Sequence, residues 1–116
     1  MKSFHKEDIM NQIPKYYTVD LGSVTDFEDF HDIIAEALDF PDYYGCNLDA
    51  LWDCLTSIPF DIHIEFLNFD RMEKVDSEYA KKILETLSDL KHYDNDEYMD
   101  CIIIEIVRGD RREFIE

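Results

Sequence analysis

The chain has 116 residues, of which 28 are aspartate or glutamate and 11 lysine or arginine, giving a formal net charge of −17. That length fits one domain with a single modest core, and a hydrophobic content of 46% excludes wholesale disorder. So large a negative excess argues against nucleic acid or an anionic membrane as partner, since both are bound by positive groups that displace counterions. It favours a basic partner, whose approach the field would accelerate, although acidity also serves solubility alone.

The opening stretch MKSFHKEDIMNQIPKYY has no apolar h-region and no small-residue cleavage site. No apolar run approaches the ~18 residues of a membrane helix, so a cytoplasmic location is expected. Residues 1–14 read as a polar arm. Tyr16 to Leu21 alternates, with β-branched and aromatic content, and predicts a first strand. Thr25 with Glu28 three positions on reads as a capping box, and Phe27, Phe30, Ile33, Ile34 and Leu38 recur at helical spacing, so a helix is expected over Asp26 to Leu38. Pro41 stops it and DYYG makes a turn in which Gly45 is expected to take the positive φ. Asn47 caps a second helix, Leu48 to Leu55, with Leu48, Leu51 and Leu55 as its apolar stripe.

Beyond Pro59, Asp61 to Phe66 alternates as a second strand, and LNFDRMEKV is an irregular or short helical connection. Ser77 caps a third long helix buried through Ala80, Ile83, Leu84, Leu87 and Leu90. After the polar loop KHYDNDEY, the run CIIIEIV reads as a buried strand from the centre of a parallel sheet, and residues 108–116 as a polar tail. Strands alternating with helices imply an α/β domain, residues 1–116, built on a small three-stranded parallel sheet packed with helices. Cys46, Cys54 and Cys101 lack metal-ligand spacing and read as free thiols; no metal or cofactor is expected.

Charge is distributed unevenly. All lysines and arginines lie at or outside the bounds Lys15 and Arg71, while the span between them holds aspartates and glutamates throughout. Within it, Asp49 and Asp53 stand four apart on the second helix, roughly 5–6 Å between Cβ atoms. The helix dipole favours Asp49 in the first turn and opposes Asp53 in the last. Trp52, Tyr43 and Tyr44 beside them form an aromatic set suited to a protein interface, with at least one tyrosine expected to be mostly buried.

The stretch YYGCNLDALWDCL, Tyr43 to Leu55, resembles the signature of the barstar family, Tyr-Tyr-Gly-x-Asn-Leu-Asp-Ala-Leu-Trp-Asp-Cys-Leu, at every fixed position. A weaker likeness of element order extends from about Tyr16 to Val107. The resemblance implies a barstar-like fold and an intracellular inhibitor, or immunity protein, that plugs the active site of a basic, barnase-like ribonuclease. By motif position it implies that Asp53 sits where a substrate phosphate would bind, against the arginines and histidine of the enzyme. It also implies contacts by Tyr43, Gly45, Asn47, Leu48, Asp49, Trp52 and Thr56, and by Asp89 on the third long helix. The protein itself would have no catalytic residues, would touch neither nucleic acid nor membrane, and would act as a monomer. Ser57 and Ile58 depart from the family's Gly-Trp, and Cys46 replaces an acidic residue. These changes leave open a barstar-fold module for another basic toxin or a regulatory partner. Paired-carboxylate hydrolysis by Asp49 and Asp53 is the remaining alternative, but no His–Cys–Asp constellation completes such a site.

Overall fold

A computed structural model describes residues 15–58, 61–92 and 102–116. The N-terminal arm, Pro59, Cys101 and most of the expected KHYDNDEY loop lie outside these residues. Among the described residues there are four strands, β1 (Lys15–Asp20), β2 (Ile62–Leu67), β3 (Ile102–Arg108) and β4 (Arg111–Phe114), and four helices, α1 (Phe27–Leu38), α2 (Leu48–Thr56), α3 (Phe69–Val75) and α4 (Ser77–Lys91), in the order β1-α1-α2-β2-α3-α4-β3-β4. The sheet runs in the order β1-β2-β3-β4. β1 pairs parallel with β2 and β2 parallel with β3, but β4 returns antiparallel along β3.

The expected three-stranded parallel sheet is therefore corrected to a mixed sheet of four strands, and the polar tail is a hairpin. Gly109 takes φ 62 at the first position of a two-residue Gly-Asp turn, which leads straight from Arg108 to its cross-strand partner Arg111. Every residue of β4 is exposed, so no apolar alternation advertised it. Its backbone pairs with β3 from the Arg108–Arg111 pair to the Glu105–Phe114 pair, and charge ties it across the sheet. Arg112 bridges Glu65 on β2 and Glu105 on β3, and the Ile115 amide donates to the Ile104 carbonyl at 2.9 Å. Glu65 and Glu105 are cross-strand partners only 9% and 4% exposed, and His63 also bonds Glu105. Burial drives the Glu105 carboxyl upward, but the bonds from Arg112 and His63 prevail and leave it below its ordinary range.

The alternate face of the sheet builds the core. Val19, Ile62, Ile64, Phe66, Ile102, Ile104 and Ile106 meet Phe30 and Ile34 of α1, Leu51 and Leu55 of α2, Met72 of α3, and Ala80, Ile83, Leu87 and Leu90 of α4. Two caps differ from expectation by one residue. Asp26, not Thr25, caps α1 by accepting from the Asp29 amide at 2.9 Å, while Asp29 turns back to accept from the Thr25 amide. Asp76, not Ser77, caps α4 by accepting from the Tyr79 amide at 3.0 Å. In both places an aspartate precedes or follows a hydroxyl residue, and its shorter reach to N3 as an anion at the positive helix end decides the competition. The stretch left between irregular and helical, LNFDRMEKV, forms the seven-residue α3.

Candidate functional site

The connection from α1 to α2 is built by three tight local turns. Asp39 ends α1 in the left-handed region, φ 57 and ψ 49, which turns the chain so that the Phe40 amide donates to the Ala35 carbonyl at 2.9 Å. The Tyr44 amide donates back to Pro41, closing the second turn. The positive φ expected of Gly45 belongs instead to Cys46, at φ 54. A Cβ at Gly45 would lie 3.4 Å from Ala50 and from the Asn47 side chain, close to ordinary van der Waals contact. Asn47 then caps α2, its Oδ1 accepting from the Ala50 amide at 2.7 Å while its Nδ2 donates to the Gly45 carbonyl. One side chain thus holds both the loop and the helix start.

The two tyrosines go opposite ways. Tyr43 is 87% exposed, whereas Tyr44 turns inward, half-buried, with its hydroxyl 2.7 Å from Nδ1 of His31. Nε2 of the same imidazole lies 2.6 Å from the Tyr79 hydroxyl on α4. His31 is fully buried. A neutral ring can donate from one nitrogen and accept at the other, so one tyrosine accepts and the other donates. Burial lowers the ring's proton affinity to about 4, against a smaller upward pull from Asp32. Burial likewise pushes the Tyr44 hydroxyl well above its ordinary range. This chain of three side chains ties the loop to α1 and α4, and the sequence reading missed it. The signal was present: His31 falls on the same helical stripe as the apolar Phe27, Ile34 and Leu38.

On the outer side, Asp49 and Asp53 are exposed along α2, and Trp52 is half-buried against the core. Among the described residues neither carboxylate takes part in a salt bridge or side-chain hydrogen bond. Three arginines are engaged elsewhere: Arg108 with Glu73 and Glu113, Arg112 with Glu65 and Glu105, Arg71 on the Val24 carbonyl. Thr56 is half-buried, and its hydroxyl donates to the Trp52 carbonyl at 2.8 Å, while the Ser57 hydroxyl donates to the Asp53 carbonyl at 2.6 Å. These bonds close the last turn of α2 under Asp53 and leave the carboxylate itself out of it.

α2 brings most of the expected positions together. Asn47, Leu48, Asp49, Trp52, Asp53 and Thr56 lie along one helix, with Gly45 and Tyr43 on the loop before it. Asp89 comes from α4 to share a groove of about 340 Å³ with Leu48, Asp49, Trp52 and Thr86. The arrangement offers no nucleophile activated by a base; what it can do chemically is accept charge-assisted hydrogen bonds from a cation.

Comparison with known proteins follows the same stretch. The family profile described as Barstar (barnase inhibitor) matches residues 15–104. A protein of Bacillus subtilis (strain 168) named "Putative ribonuclease inhibitor YrdF" is 42% identical over 84 residues, covering 69% of this chain and 90% of that one. The matched residues run from β1 into β3 and include the whole of the loop and α2; the β4 hairpin lies beyond them.

Proposed function

This chain belongs to the barstar family of barnase inhibitors, a family of inhibitors and not of enzymes, and on that premise we propose that it blocks the active site of a small basic ribonuclease by holding Asp53 where a substrate phosphate would lie. Tyr43, Gly45, Asn47, Leu48, Asp49, Trp52 and Thr56 form the surrounding contact face, with Asp89 flanking it from α4. The observation that carries the reading is the Asp53 carboxylate, exposed on the last turn of α2 and without an ion pair among the described residues.

The physics of the block is substitution. A ribonuclease cleft is lined by cations that bind phosphate oxygens. A carboxylate accepts the same bidentate hydrogen bonds from arginine, and it carries no bond that the enzyme can cleave. Rigidity decides affinity, because every side chain or loop ordered on binding subtracts from it. The Asn47 cap and the Tyr44–His31–Tyr79 chain supply that rigidity in the free protein. No helix among the described residues is long and apolar enough to cross a membrane. We take the protein to act as a monomer in the cytoplasm, as an immunity partner of its nuclease.

The test is titration of the purified protein into barnase and other small basic ribonucleases while RNA cleavage is followed. Stoichiometric loss of cleavage with at least one of them is the expected result. Full cleavage by all of them in the presence of excess protein would move the partner to a different class of basic toxin.

A further inference from the structure

A second groove, of about 400 Å³, opens on the other flank of α2, between the C-terminal ends of α1 and α2. Its apolar walls include Tyr17, Leu38, Phe40, Pro41 and Ile58, and two acidic residues, Asp39 and Asp53, also line it. The groove lies outside the contact face described above except at Asp53 and Tyr43. Asp39, in the left-handed position that ends α1, has no part in the proposed inhibition so far.

Two acidic residues, Asp39 and Asp53, line this slot at the C-terminal ends of two helices. The last carbonyls of α1 and of α2 carry the partial negative ends of their helix dipoles. Neither helix has a basic residue in its last turn. Asp39 and Asp53 then add full charges where each opposes the dipole of its own helix. Among the described residues neither carboxylate is paired. At a left-handed helix-ending position glycine or asparagine is the usual occupant, so an aspartate there adds repulsion without a conformational need. An apolar slot with a negative lining suits a ligand having an apolar stem and a cationic head. The rings of Tyr17, Phe40 and Tyr43 favour a planar, weakly hydrated cation over a compact ammonium.

We propose that this groove is a second cation subsite of the binding face, and that it takes an arginine side chain projecting from the basic partner protein. The stem lies along Phe40 and Ile58, and the guanidinium reaches Asp39, with the groove-side edge of Asp53 as second acceptor. The proposal rests on the reading that this face binds a basic protein.

The probe is N-acetyl-arginine N-methylamide, titrated into the ¹⁵N-labelled full-length protein, with the uncharged citrulline counterpart as control. The expected result is saturable amide shifts at Leu38–Phe40 and Cys54–Ile58 with the arginine compound alone. Asp39→Asn keeps a residue that tolerates the left-handed region and should weaken the response about threefold. Asp42→Asn, an exposed neighbour outside the groove, should leave it unchanged. Equal response to citrulline, shifts confined to other surfaces, or wild-type affinity in Asp39→Asn would each overturn the subsite. None of these outcomes depends on ribonuclease inhibition, so the groove can fail while the inhibitor stands, and the reverse.

Discussion

Asp53 occupies a position that the folded protein alone would not choose. It sits in the last turn of α2, against the dipole, one turn above Asp49, and its own backbone carbonyl is the part that the structure uses. Asp53→Ala should therefore leave stability unchanged or raise it by a few tenths of a kcal/mol, as read from urea midpoints; a clear loss of stability would assign the carboxylate a structural role. Cys46 presents the opposite case, a side chain in a backbone region that disfavours it, at φ 54. Cys46→Gly should raise stability by up to about 1 kcal/mol in the same melts, since relief of the left-handed strain outweighs the added chain entropy. The sequence reading placed the positive φ of the YYGCN turn at Gly45, one residue too early. Composition points to the glycine, whereas the Asn47 side chain folding back on the Gly45 carbonyl places the turn one residue later.

At the level of elements, the binding loop is held by α1 and α4 through His31. A neutral imidazole buried between two hydroxyls makes folding sensitive to acid in a defined window. The folded ring takes up its proton near pH 4, the unfolded one near its ordinary value of 6.5. Between these values only the unfolded chain is protonated, so stability is complete above the upper value and falls as pH drops toward the lower. Each pH unit in the window removes up to about 1.4 kcal/mol. His31→Gln should fold less stably at neutral pH but with a flatter pH dependence between 6.5 and 4 in thermal melts. An unaltered slope would show that other groups set it. The hairpin of β4 makes a second prediction at this scale. Arg112→Gln should lower the melting midpoint, because Glu65 and Glu105 lose the cation that they share in the sheet. Helices α1, α2 and α4 and the three parallel strands were legible from apolar spacing and strand alternation, which report burial. β4 was not, because it is exposed throughout, and the arginine that reaches across the sheet to β2 makes a contact between residues far apart in the chain.

Across the whole molecule, charge is partitioned. Arginines 108 and 112 and their carboxylate partners lie on the strands and the short helix α3, away from α2, while the face around α2 keeps exposed aspartates without cations of their own among the described residues. That partition was visible in the sequence as the stretch from Lys15 to Arg71 free of lysine and arginine between its ends. A surface field of this kind acts on encounter before contact. Association with a basic ribonuclease should slow by about tenfold or more between low salt and roughly 0.5 M, while dissociation changes little, as followed by stopped flow. A flat association rate would remove steering from the account. Asp53 connects the three scales, being costly to its helix, outside the network that stiffens the loop, and central to the field. The most direct measurement is therefore inhibition of barnase by the wild type and by Asp53→Asn, a substitution that keeps shape and removes charge. The phosphate-mimic account predicts an inhibition constant weakened by about 100-fold or more with the melting midpoint retained. Equal inhibition by the two proteins would contradict it.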